Sequence, residues 1–334
     1  MTIEKKPSLF KGYHFPMQTY IENNRNGGFT QLSLDLGSSC NYACDWCFNK
    51  HLLNKSEPDR LSLNEKADLI TQATQLNAKT LVIPGTGEPT LDRDFYPLLD
   101  IANRAGMITV VYSNLTGNVD RNKITKMLNS NVSIGIKLDS FDPKYFKKRY
   151  HVKEKVFEKF LENLHQIVDL YQGSDQPTEQ GRAYRAIANM VLTRENMGEL
   201  ERITEFCRKS NLPLFVRPVK PVIWASKELE KWKEIGNSSG LLNPELDLIK
   251  LASQHNTLFS PSSTPENHCA IYSFGLTIKN NGDIQVCPDH HESRGLFGNV
   301  RKESLSVIIK RLNEQRTIKS GFCVMLPDID HKSK

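Results

Sequence analysis

From residue 29 to residue 218 the chain alternates six times between short apolar, β-branched runs and longer amphipathic stretches. The strand-like runs are residues 29–36, 79–83, 108–112, 132–138, 183–192 and 213–218. Consecutive strands separated by helical stretches cannot be joined as hairpins, so the pattern predicts a parallel sheet with right-handed crossovers. The expected fold class is α/β, a partial (β/α)6 barrel whose working face lies at the C-terminal ends of the strands. Helix signals fill the intervals. Ser62 followed by Glu65 three residues on is a capping box, and Asp94 is placed to cap the helix that ends at Gly106. Val156, Phe160, Leu164, Ile167 and Tyr171 recur at helical spacing, and Asn196 stands before a helix carrying Leu200, Ile203, Phe206 and Cys207.

The repeat has boundaries. Residues 1–28 read as a polar lead-in without clear periodicity, and residues 29–220 as the core. Residues 221–265 read as a helical or loop-like connector, and residues 266–334 as a small C-terminal domain. In that last part residues 276–286 alternate around a central Asn-Gly turn, which predicts a β-hairpin; residues 304–315 predict a helix.

Bulk composition narrows the functional classes. The 334 residues are 38% hydrophobic and 25% charged, as in globular domains. No long uncharged apolar run suggests a membrane span, and the opening residues lack the apolar stretch of a secretion signal. Seven cysteines is an odd number, and three are clustered. That favours metal thiolates in a reducing cytoplasm over disulfides. The net charge of +6 is spread widely, with its densest patch at Lys144-Tyr145-Phe146-Lys147-Lys148-Arg149. This patch reads as a solvated helix face or as a site for an anion. No aromatic-rich signature accompanies it, which argues against a nucleic-acid partner.

Cys40, Cys44 and Cys47 follow the first core strand with C-x3-C-x2-C spacing. Three thiolates on one loop can hold three corners of a cubane iron–sulfur cluster and leave the fourth iron open for a ligand. A zinc knuckle is the alternative, but zinc favours four ligands, and only three are local. After the second strand comes Pro84-Gly85-Thr86-Gly87-Glu88-Pro89. Glycines let backbone approach a ligand closely, and Glu88 offers a negative charge to an ammonium group. Cys207 lies on the apolar face of its helix and reads as core.

The two motifs, CNYACDWC and GTGEP in this order, resemble the cluster loop and GGEP turn of the radical SAM superfamily; the resemblance covers residues 29 to about 220. It implies a partial (β/α)6 TIM-type barrel holding a [4Fe–4S] cluster on Cys40, Cys44 and Cys47, with S-adenosylmethionine chelating the open iron. By motif position Trp46 would lie near the adenine. Gly85, Thr86, Gly87 and Glu88 would hold the methionine amino group, Thr86 replacing the commoner second glycine. Ser113 and Asn114 match the polar pair that often ends the third strand, and Arg149 matches an arginine that can bind the methionine carboxylate. Lys137-Leu138-Asp139-Ser140 occupies the Ser-Leu-Asp-Gly position, with lysine in place of serine. Thr193 and Arg217, ending the fifth and sixth strands, can reach the nucleoside. The C-terminal pattern, with Cys269, Gly282, Cys287, Gly298-Asn299-Val300 and Cys323, resembles a SPASM or twitch domain. It implies a second, auxiliary [4Fe–4S] cluster on Cys269, Cys287 and Cys323, its fourth iron open or bound by His290, His291 or His331; three unpaired buried thiols are the alternative.

The activity so implied is reductive cleavage of S-adenosylmethionine to a 5′-deoxyadenosyl radical that takes hydrogen from a peptide or from a small sugar- or cyclitol-like molecule. The outcome would be oxidation, cross-linking or epimerisation. Flavodoxin or ferredoxin is the implied electron donor, and no membrane partner is expected. The 28-residue lead-in looks too short for a leader-peptide-binding domain. A non-catalytic electron carrier or cluster scaffold is the reading from another class. It would need the cysteines but neither GTGEP nor a full set of βα units.

Overall fold

A computed structural model describes residues 8–47, 49–193, 195–218, 275–285 and 297–315. Cys269, Cys287, Cys323, His290, His291 and His331 lie outside the described residues, as does the connector between the core and the hairpin.

The six predicted core strands form one parallel array: β2 (Gln31–Leu34), β3 (Thr80–Ile83), β4 (Ile108–Ser113), β5 (Val132–Lys137), β8 (Ala186–Leu192) and β9 (Leu214–Pro218). Their order in the sheet is the order in the chain, as in a singly wound βα barrel. This is the expected partial barrel. The predicted hairpin is also present, as β10 (Gly275–Ile278) and β11 (Ile284–Gln285), turning at Gly282 with φ +89°. β10 pairs in parallel with β2, with Thr277 opposite Ser33, so the sheet has eight strands in the order β11-β10-β2-β3-β4-β5-β8-β9.

One face of each strand meets helices. Leu32, Leu34, Leu81, Ile83, Val111, Ile134, Ile136, Ala188, Met190 and Val216 belong to the main apolar core. The covering helices are α2 (Leu63–Gln75), α3 (Phe95–Arg104), α4 (Arg121–Asn129), α6 (Glu154–Tyr171) and α7 (Leu200–Lys209). α8 (Leu305–Gln315) lies against α2, where the Leu305 amide bonds the Gln72 side chain at 2.9 Å. Ser62 caps α2 with the predicted box, its hydroxyl accepting from the Glu65 amide while Glu65 accepts from the Ser62 amide. Cys207 is buried in the core, as its helical position implied.

Four local expectations give way to longer-range forces. The lead-in is structured: β1 (Ser8–Phe10) and α1 (Met17–Arg25) precede the core. Phe10 and Tyr13 pack on Val82, Val110, Ile187 and Phe215, the inner face of the barrel. Gly12, at φ +82°, accepts the Thr80 hydroxyl at 2.6 Å, and a side chain there would strike Ile108. The segment thus plugs the end of the barrel where the strands begin. The predicted run 183–192 is broken: β7 (Arg182–Tyr184) leaves the main sheet to pair with β1 and with β6 (Gln176–Pro177). At the break the Arg185 guanidinium bonds the carbonyls of Leu128 and Val132. Asp94 precedes α3 but its side chain makes no cap bond; it pairs instead with fully buried Lys66 of α2 at 2.6 Å. A buried ammonium needs a counter-charge more than a helix needs a cap. Asn196 likewise gives its side chain to Thr193, Asp139 and Val191 rather than to α7.

Candidate functional site

The cysteine loop leaves β2 at the C-terminal edge of the sheet and is held by every neighbouring strand end. Its amides at Ala43 and Asp45 donate to the carbonyls of Tyr150 and Arg149 at 3.0 and 3.1 Å. Those carbonyls come from a one-turn helix, α5 (Pro143–Tyr145), that passes into a π-helical turn over Phe146–Tyr150 and stops at His151 with φ +56°. A π-turn widens the helix at functional positions, and here it turns backbone acceptors towards the loop. Aromatic rings fill the interval: Tyr42 stacks on Tyr150 at 5.0 Å, and Trp46 meets Tyr150 and Tyr145 at 5.7 and 6.0 Å.

Side chains complete the clamp. Arg149 bonds Asp45 at 3.0 Å and also pairs with Glu195, which takes Lys148 at 2.7 Å; His151 approaches Asp45 at 2.7 Å. Two cations of the basic patch are therefore engaged, and Arg149 ties the loop to the β8 end of the sheet. On the other side Asn41 donates to Thr116 and accepts from Asn114 at 2.9 Å. Cys40 and Asn54 exchange backbone and side-chain bonds at 3.0 and 3.1 Å.

The glycine turn closes on this loop. Gly87 donates to the Gly37 carbonyl at 3.1 Å and Glu88 to the Ser39 carbonyl at 2.8 Å. A Cβ at Gly87 would lie 2.2 Å from the Ser39 oxygen, so only glycine permits the approach. Gly85 adopts φ +79°. The Thr86 hydroxyl donates to Asp35, whose other oxygen meets Lys279 of the hairpin at 2.5 Å. Glu88 is buried and accepts four hydrogen bonds. Three reach Oε1, from the Thr90 amide, the Thr90 hydroxyl (2.7 Å) and the Ser113 hydroxyl (2.7 Å); the Asn114 amide reaches Oε2 at 2.8 Å. Burial nonetheless outweighs these donors and raises its pKa above the ordinary carboxylate value.

All three thiols are free and partly buried. Burial pushes Cys40 up to about 11 and Cys44 up to about 12, and raises Cys47. The thiols affect one another electrostatically, and each is lowered by Lys137. That lysine ends β5 beside the loop, its Nζ 5.1 Å from the Trp46 ring centroid, 5.0 Å from that of Tyr150 and 2.7 Å from Asp139. Asp139, fully buried, also accepts the Tyr150 hydroxyl at 2.6 Å and the Val191 amide at 2.7 Å.

Of the residues singled out by motif, the structure thus gathers Cys40, Cys44, Cys47, Trp46, the Gly85–Glu88 turn, Ser113, Asn114 and Arg149 at one end of the sheet. Thr193 is turned to Asn196, and Arg217 ends β9 in register with Val191. Sequence reasoning passed over Asn41, Asp45, Tyr150 and Glu195, which shape the site through long-range bonds. Asp139, two residues past the end of β5, was marked by its place in the Lys137-Leu138-Asp139-Ser140 run. Among the described residues, no helix is long and apolar enough to cross a membrane.

Known proteins resemble this chain in part of its sequence and in its fold. The chain is similar to a GTP 3′,8-cyclase of Psychromonas ingrahamii, 26% identical over 163 residues, 48% of this chain and 47% of that one. The match spans about half the length of that relative. Its fold is similar to SuiB of Streptococcus suis bound to its precursor peptide SuiA (TM-score 0.59, 15% identity, 88% of this chain and 68% of that one). It is also similar to anSMEcpe with bound AdoMet (TM-score 0.59, 11% identity, 85% and 82%). Residues 35–207, just over half the chain, match the family model described as the Radical SAM superfamily. That span begins at the carboxylate under Thr86 and takes in the cysteine loop, the glycine turn and the Lys137–Asp139 pair, so the chain belongs to the radical SAM superfamily.

Proposed function

We propose that this protein is an enzyme that binds a [4Fe–4S] cluster through Cys40, Cys44 and Cys47 and uses it to cleave S-adenosylmethionine reductively. The carrying observation is the zipping of the three-cysteine loop to the glycine turn at Gly87 and Glu88. It joins the cysteine loop to the turn backbone at the C-terminal end of the barrel, beside the ends of β4 and β5. The residues fit such a cluster. The thiols are free and close enough to perturb one another. Three cysteines on one loop can each bind one iron of a cubane and leave its fourth iron open. Loading it releases the protons that burial keeps on these thiols.

Bound together, the cluster and S-adenosylmethionine would supply a 5′-deoxyadenosyl radical able to take hydrogen from an unactivated C–H bond. The chain's own residues position and shield. Gly85, Thr86 and Gly87 would hold the methionine amino group through their backbone. Glu88 holds that turn rigid, its Oε2 keeping acceptor capacity beyond the single Asn114 bond. Ser113 and Asn114 fix Glu88 from β4. Trp46 would lie near the adenine, and its buried indole N–H has no partner among the described residues. Arg149, already paired, supports the carboxylate site from behind the loop. The plugged far end of the barrel keeps water out of the space.

The substrate reading is a peptide or a small sugar- or cyclitol-like molecule. The peptide-bound SuiB and the GTP 3′,8-cyclase relatives support one class each. A second [4Fe–4S] cluster on Cys269, Cys287 and Cys323 would make the net reaction an oxidation or ligate the substrate; flavodoxin or ferredoxin would supply electrons. The test is anaerobic incubation with dithionite and S-adenosylmethionine. Formation of 5′-deoxyadenosine that disappears in a Cys40→Ala/Cys44→Ala/Cys47→Ala variant is expected. Its absence from the native protein would favour a passive electron carrier. Reconstituted protein should hold about eight irons per chain, and about four would remove the auxiliary cluster.

A further inference from the structure

Lys137 is a cation at the end of β5 beside the cysteine loop, and serine stands at this position in the family's pattern. Its head is immobilised from three sides. Asp139 holds it at 2.7 Å, and the rings of Trp46 and Tyr150 lie at 5.1 and 5.0 Å. Each ring attracts a cation over its face, and only 21% of the lysine side chain is exposed. Trp46 sits in the chain between Cys44 and Cys47, so the ammonium is fixed beside the cysteines. Asp139 does not cancel that charge there. Its carboxylate is drawn back by the Tyr150 hydroxyl and the Val191 amide, at 2.6 and 2.7 Å. Arg149, another cation beside the loop, is spent on Asp45 and Glu195.

We propose that Lys137 is a positioning charge for electron entry: its fixed ammonium makes the cluster on Cys40, Cys44 and Cys47 easier to reduce than a serine at that strand end would. This rests on the functional reading above. Reduction adds one electron from an external one-electron donor to a cluster already carrying three thiolates, so the negative charge at the site rises by one. A positive charge held in a site of low dielectric stabilises the reduced form more than the oxidised one. The same charge offsets the repulsion among the three thiolates when the cluster is first bound.

The test is an anaerobic potentiometric titration followed by electron paramagnetic resonance, read on the component that vanishes in the Cys40→Ala/Cys44→Ala/Cys47→Ala variant. The full-length reconstituted protein is compared with Lys137→Met and Lys137→Arg. At the wild-type midpoint, Lys137→Met should lower the reduced-to-oxidised ratio roughly tenfold, a shift of about 59 mV for one electron. Lys137→Arg, which keeps the charge, should restore most of it. If Lys137→Met loads no cluster, Lys137→Gln makes the same comparison with a polar head beside Asp139. Coincident midpoints in loaded proteins, or an arginine variant shifted as far as the methionine one, overturn the role of Lys137 while leaving the functional reading intact. A native protein with no cysteine-dependent signal overturns that reading, and the proposal with it.

Discussion

Glu88→Ala is the substitution whose consequence the structure sets most sharply. The carboxylate lies at 4% exposure and receives two backbone amides, from Thr90 and Asn114, and two hydroxyls, from Thr90 and Ser113. The hydroxyls can rotate to other acceptors; the amides cannot. Each buried amide left unpaired costs about 1–3 kcal/mol. Relief from holding a carboxylate out of water, visible in the raised pKa of Glu88, returns part of that. A net loss of about 2–4 kcal/mol follows. Glu88→Gln tests the same reasoning without a cavity. Whichever way the amide is turned, its NH2 meets the Thr90 or the Asn114 amide, donor against donor, so roughly half the penalty should remain. The assay is urea denaturation of the cluster-free protein under reducing, anaerobic conditions, which separates the turn's own stability from cofactor affinity. S-adenosylmethionine binding to the loaded protein should weaken in parallel while the cluster spectrum persists. A loss below about 1 kcal/mol for Glu88→Ala would refute the claim that this carboxylate organises the turn.

Gly87→Ala forces a methyl onto the Ser39 carbonyl and should cost about 1–3 kcal/mol in denaturation and impair cluster loading, whereas Gly198→Ala, with open space around it, should be silent. Arg149→Ala removes the tie between Asp45 and Glu195; amide exchange at Ala43 and Asp45 should accelerate, with a stability loss of roughly 1–2 kcal/mol. Glu65 is held down to about 2 by Arg301 and the Ser62 cap, from an ordinary value of 4.5. A carboxylate depressed in the folded state lends stability above its unfolded pKa and loses it as pH falls through its folded one. Glu65→Gln should therefore flatten the acid limb of the stability curve between pH 4.5 and about 2, and an unchanged limb would deny that contribution.

What could be read from the sequence was what local chemistry decides. The strands β2 to β5 announce themselves because each is an apolar run bounded by turn residues. α2 announces itself because its capping box is closed within four residues. The cysteine trio is legible for the same reason: its ligand spacing is set within one loop. The lead-in was not, since β1 has three residues and exists only because Leu9 meets Ala183 across the chain. Asp94 was misread as a cap because nothing near it in sequence shows the buried ammonium of Lys66. Within the site, Lys137 was visible as a departure from pattern. Its place between two aromatic rings and a buried carboxylate depends on the register of β5 against β8 and on the π-turn, which a linear pattern does not encode.

That dependence bears on how the site keeps its shape. The cysteine loop has little regular structure of its own; its order comes from bonds to segments that follow β3, β4, β5 and β8. The glycine turn grips it at Gly37 and Ser39, Asn114 and Thr116 at Asn41, the π-turn at Ala43 and Asp45, and Glu195 through Arg149. The hairpin joins through Lys279 and Asp35 to Thr86 on the same turn. Because the anchors come from so many strand ends, the relative placement of the thiols is fixed by closure of the sheet rather than by the loop. Residues far apart in the chain therefore couple at the site, and substitutions at Gly87 and Arg149, on opposite sides of the loop, should combine non-additively although they share no contact. Additive losses in the double variant would mean that the loop holds its shape alone.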